Sequence, residues 1–338
     1  LRASMRITRL TVQNIRVHDT KTLDFVTNPT LITGANGSGK TSLIEAIYIA
    51  LRGKSFRGSD LAVCRYGTDF YRIVLETDIF TYRVQYGMVG TRKTRQFVID
   101  DKKYARLPYK LKYPIVLFEP EDLRIINGSP QRRRQLVDTL IQQYDPHYSS
   151  QLSRYERALQ QRNKLLKDPS ATRDVLFPWN VLLSDYGAAI IAKRQAVAAI
   201  FHERITALYR QIAHNNDSVS IAYSHNDTAT SQQLLRQYEE KFDYDRVAGS
   251  TSVGPHRHDI HIIFNRVPAA QVASRGECRT IVLAMKFIEA EYIEQQSGMP
   301  PIILLDDVFG ELDEQRQHAL LAEFKTNQVA MTSTVNVI

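Results

Sequence analysis

Hydrophobic and polar residues alternate along two long segments of the chain, as they do in strands that bury one face. These segments run from Arg6 to Phe25 and from Tyr71 to Ile99, and both are rich in β-branched and aromatic residues. From Pro130 onward, apolar residues recur at helical spacing, as in Leu136, Leu140 and Ile141, then Leu152, Tyr155 and Leu159, and later Ile190 to Leu208. The pattern therefore predicts a set of strands followed by a helical segment.

Two proline-containing stretches interrupt the helical segment. Asp168-Pro169-Ser170 and Phe177-Pro178 are both typical of helix ends, so we expect several helices in place of one. The segment lies between Asn127 and Pro255. Folded as antiparallel helices of about 30 residues, it would project about 45 Å, at about 1.5 Å per residue. The sequence thus predicts a short arm and no long coiled coil.

A glycine-rich loop follows the apolar residues Thr30 to Thr33 and precedes a helical pattern. It reads Gly-Ala-Asn-Gly-Ser-Gly-Lys-Thr and fits the phosphate-binding pattern G-x-x-x-x-G-K-[ST]. Glycines let the backbone approach a phosphate chain, and a helix N-terminus attracts negative charge. We therefore predict a nucleotide site formed by Gly34, Ala35, Asn36, Gly37, Ser38, Gly39, Lys40, Thr41 and Ser42.

Two residues of this loop have further predicted roles. Lys40 is expected between the β- and γ-phosphates as a catalytic residue, and Thr41 is expected to bind Mg²⁺ through its hydroxyl. The alternative interpretation of the loop is an ordinary turn between a strand and a helix.

An apolar run far along the chain ends in two carboxylates. Pro300 to Asp307 reads P-P-I-I-L-L-D-D, which is typical of a buried central strand with acids at its carboxyl end. We predict that Asp306 binds Mg²⁺ and that Asp307 orients or deprotonates the attacking water as the catalytic carboxylate. A helix cap or a solvated turn is the alternative. Because 266 residues separate Lys40 from Asp306, another domain must be inserted between the two halves of the nucleotide fold.

A third candidate site precedes the acidic strand. Ser274-Arg275-Gly276-Glu277-Cys278-Arg279 leads into a helical run that ends near Gln296. A Ser-x-Gly sequence at a helix N-terminus can bind an anion. Because the glycine-rich loop already binds phosphates, we expect this second site to contact the γ-phosphate held by a second subunit. A simple N-cap by Ser274 is the alternative. After the acidic strand, Gly310-Glu311-Leu312-Asp313 is interpreted as the loop that links the two sites across such a dimer.

In this order along the chain, these motifs and several shorter blocks resemble the RecF family of bacterial recombination-repair ATPases, which are related to SMC proteins. The resemblance covers nearly the whole chain. It includes the blocks Met5-Arg6-Ile7, Asn14-Ile15-Arg16, Gly53-Lys54-Ser55-Phe56-Arg57, Phe118-Glu119-Pro120-Glu121-Asp122-Leu123, Gly128-Ser129-Pro130, Gly254-Pro255-His256-Arg257 and Leu304 to Asp313.

The resemblance implies an α/β fold: an ABC-type, SMC-like P-loop ATPase head with an antiparallel β layer and an inserted short helical arm domain. Residues 1–127 would form the N-terminal part of the head with its Walker A motif. Residues 128–254 would form the arm. Residues 255–338 would supply the signature motif, the Walker B motif and the D-loop.

The same resemblance implies further ATP contacts. These would come from Ser274, Gly276 and Arg279 of the signature, from Asp313 of the D-loop, and from Thr332 or Ser333 as a sensor of the γ-phosphate. The chain departs from the family by having Arg275, Glu277 and Cys278 where glutamines are usual. It also has Met331-Thr332-Ser333-Thr334 where transporter-type ATPases place a histidine.

Charge adds a candidate DNA surface to this picture. The formal net charge is +8, and residues 92–112 carry a local excess of basic side chains interleaved with Tyr104 and Tyr109. A solvated hairpin is the alternative. The predicted DNA contacts are Arg92, Lys93, Arg95, Lys102, Lys103, Arg106, Lys110 and Lys112.

Cysteine spacing, hydrophobicity and histidine positions bear on the cellular setting, on membrane insertion and on metal binding. Cys64 and Cys278 are far apart and outside any metal-ligand spacing, which favours a reducing, cytoplasmic setting. No apolar run is expected to span a membrane, because Lys193, Arg194 and Gln195 interrupt the best candidate. His256, His258 and His261, with Asp259, are a candidate for a metal site, but His258 and His261 would lie on opposite faces if Asp259 to Phe264 is a strand.

The function that the resemblance implies is an ATP-driven switch on DNA in repair, replication and the SOS response. ATP and Mg²⁺ would join two protomers head to tail, and this homodimer would clamp double-stranded DNA near single-strand/double-strand junctions. Slow hydrolysis would release it. RecO and RecR would be partners in loading RecA, and no membrane would be involved. The rivals are a transporter ATPase subunit, a nuclease-associated SMC-like protein and a binding module with an inactive ATPase.

Overall fold

The computed structural model describes residues 4–89, 92–224, 230–309 and 312–334. Within them, the strands in chain order are β1 (Ile7–Ile15), β2 (His18–Asp24), β3 (Thr30–Thr33), β4 (Tyr71–Thr77), β5 (Thr81–Val89), β6 (Arg92–Ile99), β7 (Lys102–Tyr104), β8 (Ile115–Phe118), β9 (Val219–Tyr223), β10 (Ile260–Phe264), β11 (Val267–Pro268), β12 (Ile302–Leu305) and β13 (Val329–Ser333).

The helices of the same residues are α1 (Lys40–Arg52), α2 (Asp60–Val63), α3 (Arg124–Asn127), α4 (Pro130–Tyr144), α5 (Pro146–Leu166), α6 (Arg173–Ala213), α7 (Ser231–Glu240), α8 (Phe242–Ala248), α9 (Ala269–Val272), α10 (Arg275–Ser297) and α11 (Glu314–Glu323). Strands predominate before residue 127, and helices predominate from Pro130 onward, as the sequence pattern predicts.

The chain divides into two compact units. The first comprises residues 1–122 and 289–338, and the second comprises residues 123–288. The second unit contains more of the chain than the predicted insertion of 128–254, since residues 123–127 and 255–288 belong to it as well. The reason lies in β10, which pairs with β9 of the helical segment and so draws the following residues into that core.

The first unit contains a parallel sheet and an antiparallel sheet. The parallel sheet has the order β3-β13-β12-β8, and the antiparallel sheet has the order β2-β1-β4-β5-β6-β7. β12 reads Ile-Ile-Leu-Leu and is buried throughout, as expected of a central parallel strand. The structure thus confirms the α/β fold with an antiparallel layer.

Helix α1 is apolar around most of its circumference because it contacts both sheets of the first unit. All of its residues except Thr41 are buried, and it meets β1, β4 and β5 as well as β8 and β13. Gly53 ends the helix in a left-handed conformation (φ 79°), which suits a glycine. A helix buried in this way is held firmly, so the loop at its N-terminus has a fixed position.

The second unit is built around α6. This helix contacts α5, α7 and β9, while β9, β10 and β11 form a three-stranded antiparallel sheet. The expectation that Phe177-Pro178 ends a helix is wrong, because α6 runs through Pro178 without interruption. Pro178 lies in the second turn, and the buried Leu176, Asn180 and Leu183 around it supply packing that offsets the missing hydrogen bond. Asp168-Pro169-Ser170 does separate α5 from α6, as predicted.

Helix α6 also meets the length and composition criteria for a membrane span, which its sequence pattern did not lead us to expect. It is 41 residues long and contains an 18-residue stretch that is sufficiently apolar. Buried core helices pass the same test, and Leu183, Ile190, Ile191 and Phe201 of α6 pack inside the second unit. Internal packing buries 39% of that stretch.

The Gly-Pro-His-Arg block is a junction of the second unit. The Tyr155 hydroxyl lies 2.6 Å from Nδ1 of His256, and Nε2 of His256 lies 3.0 Å from the Thr251 carbonyl oxygen. Because a carbonyl only accepts, Nε2 carries the proton and Nδ1 accepts from Tyr155. Arg194 donates to the Pro255 carbonyl oxygen (2.7 Å). The block therefore joins α5 and α6 to the chain that leads into β10.

Gly254 is required in this block by its surroundings. Its φ is +116°, and a Cβ added there would lie 2.4 Å from the Tyr238 hydroxyl and 2.6 Å from the Tyr155 hydroxyl. We expect Gly254→Ala to lower the free energy of unfolding by about 3 kcal/mol, because strain and overlap add. Denaturant titration would measure it. The control is Gly249→Ala, which has a similar positive φ (+63°) but meets only Lys167 Cγ at 3.6 Å. A loss at Gly254 no larger than at Gly249 would contradict the overlap.

Burial lowers the pKa of His256 to about 4 from 6.5. Between these pH values the unfolded chain binds a proton that the folded chain does not, so the stability that neutral His256 contributes is lost as the pH falls from 6.5 toward 4. We expect a loss on the order of 3 kcal/mol over this window. In His256→Gln the pH dependence should flatten, whereas the exposed control His261→Gln should keep it. Equal slopes for His256→Gln and wild type would refute the assignment.

Candidate functional site

The phosphate loop lies in the first unit between β3 and α1. Gly37 and Gly39 have φ values of +81° and +90°, which favour glycine, and α1 begins at the next residue, Lys40. At Gly39 the space for a side chain is closed as well, because an added Cβ would lie 2.4 Å from Nε2 of His18. The loop thus has the backbone conformation and the bare glycine surface that a phosphate chain requires.

Lys40 is buried inside the curve of this loop. Its Nζ donates to the carbonyl oxygens of Gly34 (2.9 Å) and Ala35 (3.2 Å) and lies 3.9 Å from Oδ1 of Asp307. A buried ammonium group with neutral carbonyls as its nearest partners suits an incoming anion. The loop and the lysine therefore fit the polyphosphate of a nucleotide.

The Walker B carboxylate meets the loop directly. Thr41 Oγ1 donates to Oδ1 of Asp306 at 2.8 Å, although 265 residues separate them in the chain. Burial raises the pKa of Asp306, the hydrogen bond from Thr41 opposes that shift, and the neighbouring Asp307 adds to it. A hydroxyl and a carboxylate are hard oxygen ligands of the kind that Mg²⁺ prefers. Thr41 and Asp306, both predicted as Mg²⁺ ligands, therefore form a pair that fits the ion.

Asp307 differs from Asp306 in exposure and backbone conformation. Its side chain is 37% exposed, and its φ of +50° lies in the left-handed region. The backbone N–H of Asp307 donates to Thr332 Oγ1 at 2.7 Å. An exposed carboxylate beside a buried lysine is suitably placed to orient a water molecule. Thr332 itself is buried under the two aspartates.

The site contains residues that no sequence motif assigned to it. His18 Nε2 donates to the Gly39 carbonyl oxygen (3.1 Å), and Glu45 of α1 is fully buried in a two-bond contact with Arg16 (2.9 and 3.0 Å). Ser55 also donates to Glu45 (2.5 Å). These contacts tie the β1–β2 hairpin and the segment after α1 to the phosphate loop. Arg16 and Ser55 lie in blocks of the family resemblance, which was the signal available in the sequence.

The signature segment belongs to the second unit and forms an N-terminal cap of α10. The Ser274 N–H donates to Oε2 of Glu277 (2.6 Å), and the Glu277 N–H donates to Ser274 Oγ (3.3 Å). This reciprocal pair is a capping box, in which glutamate and glutamine are interchangeable, so the departure at Glu277 preserves the local structure. Ser274, Arg275 and Gly276 are exposed, and Cys278 is buried. Contact of Ser274, Gly276 or Arg279 with a nucleotide stays a prediction.

The D-loop is described from Leu312 onward, since Gly310 and Glu311 lie outside the described residues. Asp313 caps α11 by accepting from the Arg316 N–H (2.9 Å), and it also forms an ion pair with the Arg316 side chain. The role of Asp313 across a dimer stays a prediction.

The eight basic residues proposed for DNA differ in their exposure and in their ion pairs. Arg95 is paired with Asp60 (2.9 Å), Lys93 lies 3.4 Å from Asp69, and Lys112 is half-buried near other cations, so burial lowers its pKa. Arg92, Lys102, Lys103, Arg106 and Lys110 are exposed. Contact of any of these residues with DNA stays a prediction.

The histidine-rich segment does not assemble the alternative metal site. His256 bonds to Tyr155 and Thr251 as described above, and His258 Nδ1 lies 2.9 Å from the Tyr223 hydroxyl. In the part of the chain that the structure describes, no three His, Cys, Asp or Glu side chains are grouped closely enough to hold a metal ion.

Comparison with known proteins agrees with this geometry. A family model described as an AAA domain matches residues 9–246. The DNA replication and repair protein RecF of Natranaerobius thermophilus is 35% identical, with 94% of this chain and 88% of that protein covered. The protein of the same name from Geobacillus thermodenitrificans is 33% identical, with 98% of this chain and 93% of that protein covered.

Solved structures show the same relationship. A structure described as that of the recombination mediator protein RecF-ATP in the RecFOR pathway superposes with a TM-score of 0.87 at 28% identity, covering 99% of this chain and 93% of that one. The Smc head domain of Pyrococcus furiosus superposes with a TM-score of 0.55 at 14% identity, covering 98% and 90%, which shows a shared fold. The chain therefore belongs to the RecF family and is an ABC-type ATPase of DNA replication and repair.

Proposed function

We propose that this protein is an ATP-driven clamp on double-stranded DNA. The observation that carries the proposal is the direct contact between the phosphate loop and the Walker B edge, where Thr41 donates to Asp306 at 2.8 Å beside the buried Lys40. A site assembled in this way hydrolyses a nucleotide by positioning and electrostatics, with little change in its own covalent structure.

The residues of the site divide the work of hydrolysis. The backbone from Gly34 to Gly39 holds the phosphates, and Lys40 moves from the loop carbonyls to the phosphate oxygens. Thr41 and Asp306 would hold Mg²⁺, which would supply positive charge to offset that of the phosphates. Asp307 orients the attacking water and accepts its proton.

A second copy of the chain completes the site in this proposal. Ser274, Arg275 and Gly276 are exposed at the N-terminus of α10, a helix of 23 residues. Such a helix end is attractive to the γ-phosphate of a nucleotide bound to another protomer. Each ATP would then contact Ser274, Gly276 and Arg279 of the facing copy, with Asp313 linking the two sites. ATP would act as the switch because it binds the dimer more tightly than the monomer.

The names of the relatives support a proposal for the wider role. Their names place them in DNA replication and repair, and one solved structure is described as a recombination mediator of the RecFOR pathway. We infer that the ATP-bound dimer holds duplex DNA near junctions with single-stranded DNA in the cytoplasm. There it would act with RecO and RecR to load RecA.

ATP should therefore convert the wild-type protein from monomer to dimer. Lys40→Met should abolish the dimer because it removes the bond to the phosphates, and Ser274→Arg should abolish it because it fills the helix N-terminus with a bulky cation. Asp307→Asn should give a long-lived dimer, because binding is kept and the water is no longer activated. Light scattering with and without ATP measures all four proteins.

Measurements of ATP binding separate a variant that cannot bind the nucleotide from a variant that binds it but cannot dimerise. At protein concentrations too low for dimerisation, Ser274→Arg should bind a fluorescent ATP analogue as the wild type does, whereas Lys40→Met should bind it at least about tenfold more weakly, since charge-assisted hydrogen bonds are removed. Wild-type protein that stays monomeric at saturating ATP and high protein concentration would refute the clamp.

The DNA surface makes a separate prediction. Lys103→Glu combined with Lys110→Glu should weaken duplex binding and lower the slope of log affinity against log salt by about two, because each phosphate that a basic side chain neutralises contributes about 0.9 to that slope. The control is Arg236→Glu combined with Lys241→Glu, an equal change of charge on exposed residues of the second unit. Gel-shift titrations at several salt concentrations provide the measurement. Equal slopes in the two double variants would remove residues 92–112 from the DNA interface.

A further inference from the structure

Thr332 connects the two Walker B aspartates to the strand beside them. It is the fourth residue of β13, pairs with Ile32 of β3, and has no exposed surface. Its hydroxyl accepts the backbone N–H of Asp307 at 2.7 Å. The same hydroxyl lies 3.2 Å from Oδ1 of Asp306 and 3.3 Å from Oδ1 of Asp307.

The hydrogen bonds of this hydroxyl can be counted. A threonine hydroxyl has one proton to donate and two lone pairs with which to accept. One lone pair takes the Asp307 N–H, and the proton is shared among the two carboxylate oxygens and the Leu305 carbonyl oxygen at 3.5 Å. All of its strong partners are thus residues of the Walker B edge.

Asp307 has a conformation that needs such support. Its φ of +50° is uncommon for a residue other than glycine and carries a steric cost. The bond from its N–H to Thr332 holds the peptide in this conformation, and the conformation sets the direction of the carboxylate. An error of about 1 Å in a reacting group costs about a hundredfold in rate.

We infer that Thr332 is a positioning residue for ATP hydrolysis, acting through the backbone and carboxylate of Asp307. This differs from the expectation that Thr332 senses the γ-phosphate by contact, because its side chain is fully buried and its hydroxyl is engaged by Asp307. The inference rests on the proposed role of Asp307 in orienting water.

Thr332→Val tests the inference because valine keeps the branched shape and loses the hydroxyl. We expect kcat for ATP hydrolysis to fall about 10- to 100-fold, the effect typical of losing an orienting partner, while KM for ATP and the affinity for a fluorescent ATP analogue change less than about twofold. Thr332→Ser restores the hydroxyl and should recover most of kcat.

Thr30→Val is the matched control. Thr30 is also buried in the parallel sheet, pairs with Ala330 of the same strand, and donates to the Thr27 carbonyl oxygen at 2.7 Å. Its hydroxyl bonds to the chain before β3, away from Asp306 and Asp307. Both valine variants should lower Tm by similar amounts, but Thr30→Val should keep the wild-type kcat.

Three outcomes overturn the inference: Thr332→Val with full kcat, a loss that Thr332→Ser does not reverse, or a kcat loss of the same size in Thr30→Val. Asp307→Asn belongs in the same assay. If it is inactive while Thr332→Val is fully active, the role of Thr332 fails and the proposed function stands. If Asp307→Asn is fully active, the proposed role of Asp307 fails and the inference fails with it.

Discussion

The hydrogen bond between Thr41 and Asp306 depends on one constraint, the parallel pairing of β3, β13 and β12. The paired strands align their carboxyl ends, and functional segments follow β3 and β12 at that edge. The phosphate loop follows β3, and Asp306 follows β12. Thr41 and Asp306 are 265 positions apart in the chain and are joined by a hydrogen bond of 2.8 Å, so the site exists only when the whole sheet has formed. The register is set by strands of the first unit alone, which explains how the chain accommodates the inserted unit.

Burial gives this edge its electrostatic character. Lys40 and Asp306 are both almost fully buried, and desolvation raises the pKa of Asp306 while Thr41 and Thr332 donate to it. Asp307 stays partly exposed beside them. Buried charges are costly unless they are paired or receive an ion, so the site is most stable when a cation and phosphates share these groups. These environments suit the roles proposed for the two residues, metal binding by Asp306 and contact with water by Asp307.

The sequence predicted the parts of the fold that have local signals. The loop before Lys40, the buried strand before Asp306 and the alternating strands follow from glycine positions and from spacing. Pro178 was misread, because local propensity says nothing about the packing that holds α6 together across it. The positioning by Thr332 and the contact of His18 with the loop depend on strand register and on hairpin placement. A single sequence specifies these only through the completed fold.

The contact between Lys40 and Asp307 lies where the phosphates of a nucleotide would bind, so nucleotide binding would change it. The lysine ammonium group lies 3.9 Å from the Asp307 carboxylate while it donates to two loop carbonyls. A bound phosphate draws the ammonium group to itself and repels the carboxylate, so both members of the pair must rearrange. Thr332 restrains the backbone of Asp307, so the change falls mainly on its side chain. In the proposed mechanism, the carboxylate of Asp307 would then turn from Lys40 toward the attacking water, so that nucleotide binding would prepare the site for hydrolysis.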